Sequence, residues 1–263
     1  MPRDEAMQAI KRAIKKSYGG RGEIVLTRNY AAVDAALSAL HEVAVPDRAA
    51  SETLRLPVVP AAVPQFVQQV TAAMLAGKGD SLPVSALPVD GAFPTGTSQW
   101  EKRGIAAESP GWDPSICIEC AKCALVCPHA AIRMKVYSPG ELKEAPEGFQ
   151  HRPWSAHDLP NSVMTIQVAP DDCTGCGICV DVCPARSKSL VKHKAIDMTP
   201  RLPIAERERE NFAFFQQIPE PPREEIQAGT IKGSQMLEPL FEFSGACAGC
   251  GETPYLKLLS QLF

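Results

Sequence analysis

The chain has 263 residues, 45% of them hydrophobic and 22% charged, with a net charge of −3 and a pI near 6.0. The length allows about two domains, and the charge balance gives no electrostatic case for binding nucleic acid or an anionic membrane. No run approaches the ~18 apolar residues of a membrane span and no secretory core opens the sequence, so the reading is a cytoplasmic chain that binds neither membrane nor nucleic acid.

Residues 4–18 are predicted as a helix, with Met7, Ile10 and Ile14 as its buried stripe and Gly19-Gly20 as its stop. "EIVL" (23–26) reads as the start of a short strand. Residues 29–43, "NYAAVDAALSALHEV", carry Ala, Val and Leu at helical spacing, with Asn29 as N-cap. These pieces, residues 1–60, read as the C-terminal part of an α/β domain, too small for a core of their own. From 44 to about 105 proline dominates. Proline removes donors and fixes φ, which predicts an extended, surface-running linker (61–105) around one short helix at 65–76. "AAIRMKVY" (130–137) and "SVMTIQVA" (162–169) read as strands, and the four-proline stretch between them, 138–161, as a loop. Residues 201–238 are charged around an apolar knot, "FAFFQQIP", and the chain closes on a helical pattern after "GACAGCGET".

Eight of the ten cysteines lie in "CIECAKCALVCP" (117–128) and "CTGCGICVDVCP" (173–184). Each run is Cys-x2-Cys-x2-Cys-x3-Cys-Pro. Disulfides do not suit a reducing cytosol. Structural zinc takes four ligands from two separated CxxC knuckles, and three consecutive CxxC steps given twice fit that badly. The spacing is that of [4Fe-4S] ligation: three thiolates on a tight loop face one cubane, while the fourth, on the following helix, serves the neighbouring one. The predicted sets are therefore crossed: Cys117, Cys120, Cys123 and Cys183 for one cluster, and Cys173, Cys176, Cys179 and Cys127 for the other. Ala124, Leu125, Val126, Ile178, Val180 and Val182 read as an apolar shell that excludes water and tunes the potential. Gly175 and Gly177 let the backbone approach the sulfurs, and Pro128 and Pro184 set the chain direction where each helix ends. Glu119 and Lys122 read as solvated loop charges, and His129 as a neutral surface histidine. Cys247 and Cys250 form a lone CxxC, open between a redox pair, half a zinc site and half a cluster site.

The chain resembles the central part of pyruvate:ferredoxin (flavodoxin) oxidoreductase. The resemblance rests on "NYAAVDAALSALHEVAVP", "WEKRGIAAESPGWDPSICIECAKCALVCPHAAIR", "PDDCTGCGICVDVCPA" and "FSGACAGCGETPY", in the family's order. With the reading above it implies an α+β chain: a ferredoxin-like two-[4Fe-4S] domain at 106–220, flanked by the extended Pro-rich linker and by partial α/β domains, with 221–263 the truncated start of a thiamine diphosphate-binding domain. It implies an oxidoreductase of anaerobic pyruvate metabolism. There, thiamine diphosphate with Mg attacks pyruvate, carbon dioxide leaves, coenzyme A takes the acetyl group, and electrons pass singly through three [4Fe-4S] clusters to ferredoxin or flavodoxin. Cys247 and Cys250 match the first two ligands of the cluster nearest the thiamine, a partial third site. Thiamine and Mg would be held only by the complete enzyme, expected to be a homodimer. Family enzymes are far longer, so the expectation is a fragment or a split-gene subunit, inactive on pyruvate without its missing domains, whose first ~60 and last ~25 residues pack poorly. Three alternatives stand beside this: a free-standing two-cluster carrier, a subunit of another 2-oxoacid oxidoreductase, and clusters that only staple the fold. The flanking signatures count against the carrier.

Overall fold

A computed structural model describes residues 2–48 and 57–263, which fall in two compact units divided at residue 55. The chain mixes helix and sheet, and among the described residues no helix is long and apolar enough to cross a membrane.

The first unit is a pair of packed helices, α1 (Arg3–Tyr18) and α2 (Glu23–Ser38). Asp4 and Glu5 open α1 and Lys15 and Lys16 close it, complementing the helix dipole. Gly22, at φ 97°, turns the chain into α2. "EIVL" is therefore the first turn of a helix and not a strand: four apolar residues do not distinguish the two, and the Ala-rich continuation decides. Asn29 lies inside α2 rather than capping it, its side chain donating to Val25 O at 2.8 Å. The expected stripe on α1 is only partly covered, since Met7 and Ile14 are half-buried and Ile10 is exposed. Leu26 is the one fully buried residue of the two helices.

In the second unit, residues 57–106 gather a small cluster of Val59, Val63 and Val67 against Leu75 and Trp100. The helix expected at 65–76 is present as a π-helical turn, Val67–Thr71, running into α3 (Ala72–Leu75). Then come β1 (Glu108–Trp112), α4 (Lys122–Val126), β2 (Ile132–Tyr137), β3 (Arg152–Pro153), β4 (Val163–Val168), α5 (Ile178–Val182) and β5 (Ile196–Pro200). β2 and β4 are the two predicted strands. β1 and β5 escaped prediction because they carry Pro110, Gly111 and Pro200, residues that argue against a strand. A two-stranded ribbon tolerates them, because each strand keeps a free edge. β1 pairs antiparallel with β5 and β2 with β4, β3 adding a short edge. A strand, a cysteine run and a second strand thus occur twice, and the two ladders join the halves.

The polar face of β2 is buried, not solvated. α6 (Ala205–Gln217) covers it with Phe212 and Phe215. Lys135 Nζ donates to Phe215 O at 3.0 Å and to Ile218 O at 2.5 Å. Arg133 pairs with Glu242 and lies against the rings of Phe243 and Phe212. α7 (Ile231–Ser234) and α8 (Thr253–Leu262) complete the layer. The last 25 residues, expected to pack poorly, are docked along one face of α8 only, and Tyr255, Leu256, Leu259 and Phe263 remain exposed. Lys257 and Gln261 of α8 are buried, and Gln261 Nε2 donates to Leu237 O at 2.7 Å. Limited proteolysis is expected to cut within 1–60 first and to spare a product running from about residue 106 through α8. Early loss of α8 would contradict this packing.

Candidate metal centre

Both cysteine loops share one backbone conformation. Gly175 and Gly177 sit at φ 69° and 75°, and the matching positions of the first run, Glu119 and Ala121, at 59° and 56°. This left-handed geometry turns successive N–H groups inward. Gly175 N–H reaches Cys173 Sγ at 3.4 Å and Glu119 N–H reaches Cys117 Sγ at 3.5 Å. In the second run glycine adopts the shape freely, whereas Glu119 and Ala121 hold it at a cost of about 1–2 kcal/mol each. Cys127 and Cys183 then close α4 and α5 with nearly identical angles, φ −65° and −68°.

A cavity is lined by Cys127, Cys173, Cys176 and Cys179, together with Ile132, Ile178 and Met198. The fourth cysteine of the first run therefore stands with the first three of the second. The electrostatics show the same grouping. Burial pushes Cys179 up to about 12, and the neighbouring charges that add to this are Cys127, Cys173 and Cys176. Burial likewise lifts Cys173 to about 11, with Cys127 again the leading like-charged neighbour. In the first run burial raises Cys123 strongly, beside Cys117, Cys179 and Cys120. Cys183 is a buried thiol at the end of α5, the helix that packs against α4.

Thiols this buried and crowded do not ionise unaided at neutral pH; a bound cation makes thiolates of them. A [4Fe-4S] cubane takes four thiolates spread around a volume, as the four cysteines that line this cavity are. The donor set fits an iron–sulfur cluster.

Several side chains near the loops differ from expectation. Glu119 is not solvated: it is 2% exposed, accepts from Ser155 Oγ at 2.6 Å and Ser155 N at 3.3 Å, and faces Arg152 Nε at 3.4 Å and Lys232 Nζ at 3.9 Å. Segments distant in sequence fold over it. His129 is buried rather than on the surface, with its ring Nε2 hydrogen-bonded to Ala246 O at 2.9 Å. Lys122 is exposed as expected, and the apolar shell is half-buried apart from the fully covered Ala124.

Three residues at the centre had no sequence signal. Burial raises the Cys117 thiol, while the Trp112 indole, the Glu119 N–H and Arg152 draw it back. Trp112 Nε1 is buried and is aimed at the Cys117 sulfur too loosely for a full hydrogen bond, so a thiolate there is the acceptor that suits it. Arg152 Nη1 donates to Cys117 O and to Pro114 O, holding the loop. Lys257, 1% exposed, donates to Ala124 O, to Leu125 O at 2.9 Å and to Cys127 O at 3.4 Å, satisfying the last carbonyls of α4. Burial lowers it to about 8.

Cys247 is exposed and Cys250 half-buried, in a turn closed by Cys250 N–H to Cys247 O at 3.1 Å. This turn abuts the second run: a Cβ on Gly249 would stand 3.2 Å from Ile178 Cδ1 and 3.8 Å from Cys176 Cβ.

Behind the second run, His193 bridges two carboxylates, Nε2 at 2.8 Å from Asp113 and Nδ1 at 3.2 Å from Asp197. The Asp113 bond raises its pKa above the ordinary 6.5. A raised folded-state pKa contributes stability that is complete below about 6.5 and is lost as pH climbs through the folded value. The 186–194 loop should therefore exchange amide protons faster, relative to its intrinsic rates, at pH 8 than at pH 6. His193→Gln should remove that difference, and an unchanged pH dependence in the variant would count against the bridge.

Comparison with known proteins places a family described as a 4Fe-4S dicluster domain on residues 116–187, and a domain of unknown function on 53–106. The pyruvate-flavodoxin oxidoreductases of Trichormus variabilis and a Nostoc species are each 51% identical to the chain over its whole length. The pyruvate:ferredoxin oxidoreductase of Moorella thermoacetica is 47% identical, again over the whole chain. In each case the chain spans 22% of the relative's own length.

Proposed function

We propose that this chain, homologous from end to end to a segment of the pyruvate-flavodoxin oxidoreductases, is the electron-relay segment of such an enzyme, passing electrons from the oxidative decarboxylation of pyruvate toward ferredoxin or flavodoxin in the cytoplasm. The observation that carries the reading is the cavity in which Cys127 joins Cys173, Cys176 and Cys179 between two like halves of the fold. It supports two [4Fe-4S] clusters with crossed ligands, Cys173, Cys176, Cys179 and Cys127 holding one and Cys117, Cys120, Cys123 and Cys183 the other. When bound, such clusters supply reversible one-electron chemistry.

The chain's own residues do the rest. Ile132, Ile178 and Met198 keep water from the Cys127 set. The N–H groups of Gly175 and Glu119 donate to sulfur and stabilise added negative charge. Cys247 and Cys250 would supply two ligands of a third cluster, and their turn lies against Cys176 and Ile178. The Cys127 set is thus the inner one and the Cys117 set the outer one. On this reading residues 221–263 begin the thiamine-binding domain, residues 1–60 end an α/β domain, 61–105 link them to the relay, and the complete enzyme, carrying thiamine diphosphate and Mg, is a homodimer. A free-standing carrier is less well supported, because α8 and the Cys247–Cys250 turn are packed onto the cluster domain and a carrier has no use for them.

Anaerobic reconstitution tests the proposal. About eight iron atoms per chain are expected, with one-electron signals in the low half of the ~−700 to +450 mV range. Stoichiometric zinc without a reducible chromophore would sink it.

A further inference from the structure

We propose that the loop 186–194 is a docking surface for a small acidic one-electron carrier protein, whose electron would come from a cluster held by the cysteine set that includes Cys183. The proposal rests on the relay reading and adds to it the place of exit.

The loop begins three residues beyond Cys183. It carries Arg186, Lys188, Lys192 and Lys194 and no acidic residue, within a chain of net charge −3. Among the described residues, Arg186, Lys188 and Lys192 enter no ion pair. The tip presents Leu190 and Val191, 61% and 91% exposed. An apolar contact ringed by unpaired cations matches what a brief encounter with an acidic surface needs: charge to steer and orient, and a small dry patch to hold.

The loop is built rather than slack. Ser187 N–H donates to His193 O at 2.9 Å, and Ser187 Oγ accepts from Ser189 N and Leu190 N at 3.2 and 3.0 Å. Lys192 turns at φ 64°. His193 anchors the base to Asp113 and Asp197, and Lys194 Nζ is tied to Val180 O of α5. Lys194 is therefore a strut, while Arg186, Lys188 and Lys192 remain for a partner. The loop follows Cys183, a member of the proposed outer cysteine set, and its base is tied to α5 through Lys194. A [4Fe-4S] cluster held by that set would supply the single electron the carrier accepts, so no bond need form or break. Three free cations on one loop are too few for a nucleic-acid groove, whose affinity accumulates over many phosphate contacts.

The test uses the whole reconstituted chain and a strongly acidic flavodoxin, with two readouts: affinity for the flavodoxin, and the second-order rate at which the reduced chain reduces it. Lys188→Glu with Lys192→Glu should lower both by about tenfold or more at low salt. The unmodified chain should slow steeply with salt while the variant stays flat, and cluster spectra and potentials should not move. Leu190→Ser with Val191→Ser should weaken affinity without changing the salt slope. Affinity and rate unchanged in the charge-reversed chain would overturn the proposal. If the unmodified chain proves to hold no reducible cluster, the relay reading falls, and the affinity measurements alone still decide whether the loop binds the acidic protein.

Discussion

Cys127→Ala is expected to abolish the signal of the cluster built on Cys173, Cys176 and Cys179 while leaving the Cys117, Cys120 and Cys123 signal largely intact, and Cys183→Ala to do the reverse. Cys127 is one turn beyond Cys123 but lines the cavity of the other run, because α4 carries it past its own loop. Each cluster would then bridge both halves of the fold, so iron binding adds folding free energy to the whole domain and not to one loop. Structural metal sites contribute on the order of 10 kcal/mol or more, comparable with the entire stability of a domain. Chelation should accordingly unfold the region from β1 to β5 in one cooperative step, followed by circular dichroism. Loss of the mutated run's own cluster, or unfolding of one loop at a time, would refute the crossing.

Glu119→Ala should destabilise the cluster-loaded chain by about 3 kcal/mol, the low end for breaking a buried ion pair. The carboxylate is 2% exposed, while the side chains of Arg152 and Lys232 are 27% and 33% exposed and partly screened by solvent. Removing it leaves those two cations facing each other and strands the Ser155 donors. Glu119→Gln keeps an acceptor for Ser155 and should lose roughly half as much, while Ser155→Ala should lose about 1 kcal/mol. The readout is the urea midpoint of the loaded chain, checked against the decay of its cluster absorbance, because a cofactor can break two-state behaviour. A shift below about 0.5 kcal/mol for Glu119→Ala would show that the network is ornamental.

The two tight cysteine loops, the two central strands, the α1 helix and the short helix near residue 70 were legible in the sequence. Each follows from constraints that act over a few residues: the reach of three thiolates on one loop, alternation along β2 and β4, and a glycine stop. Other features depended on segments meeting from far along the chain. Glu119 and His129 look like surface residues until Ser155, Lys232 and the 243–246 backbone close over them. β1 and β5 look like loops until each finds the other across the domain. Arg133 and Lys135 look like a solvated strand face until α6 and the residues beyond it supply carbonyls, carboxylates and rings. Local spacing is written in covalent geometry and can be read one run at a time. The burial of a charge depends on which distant donors and acceptors arrive to replace water, and only the assembled fold decides that.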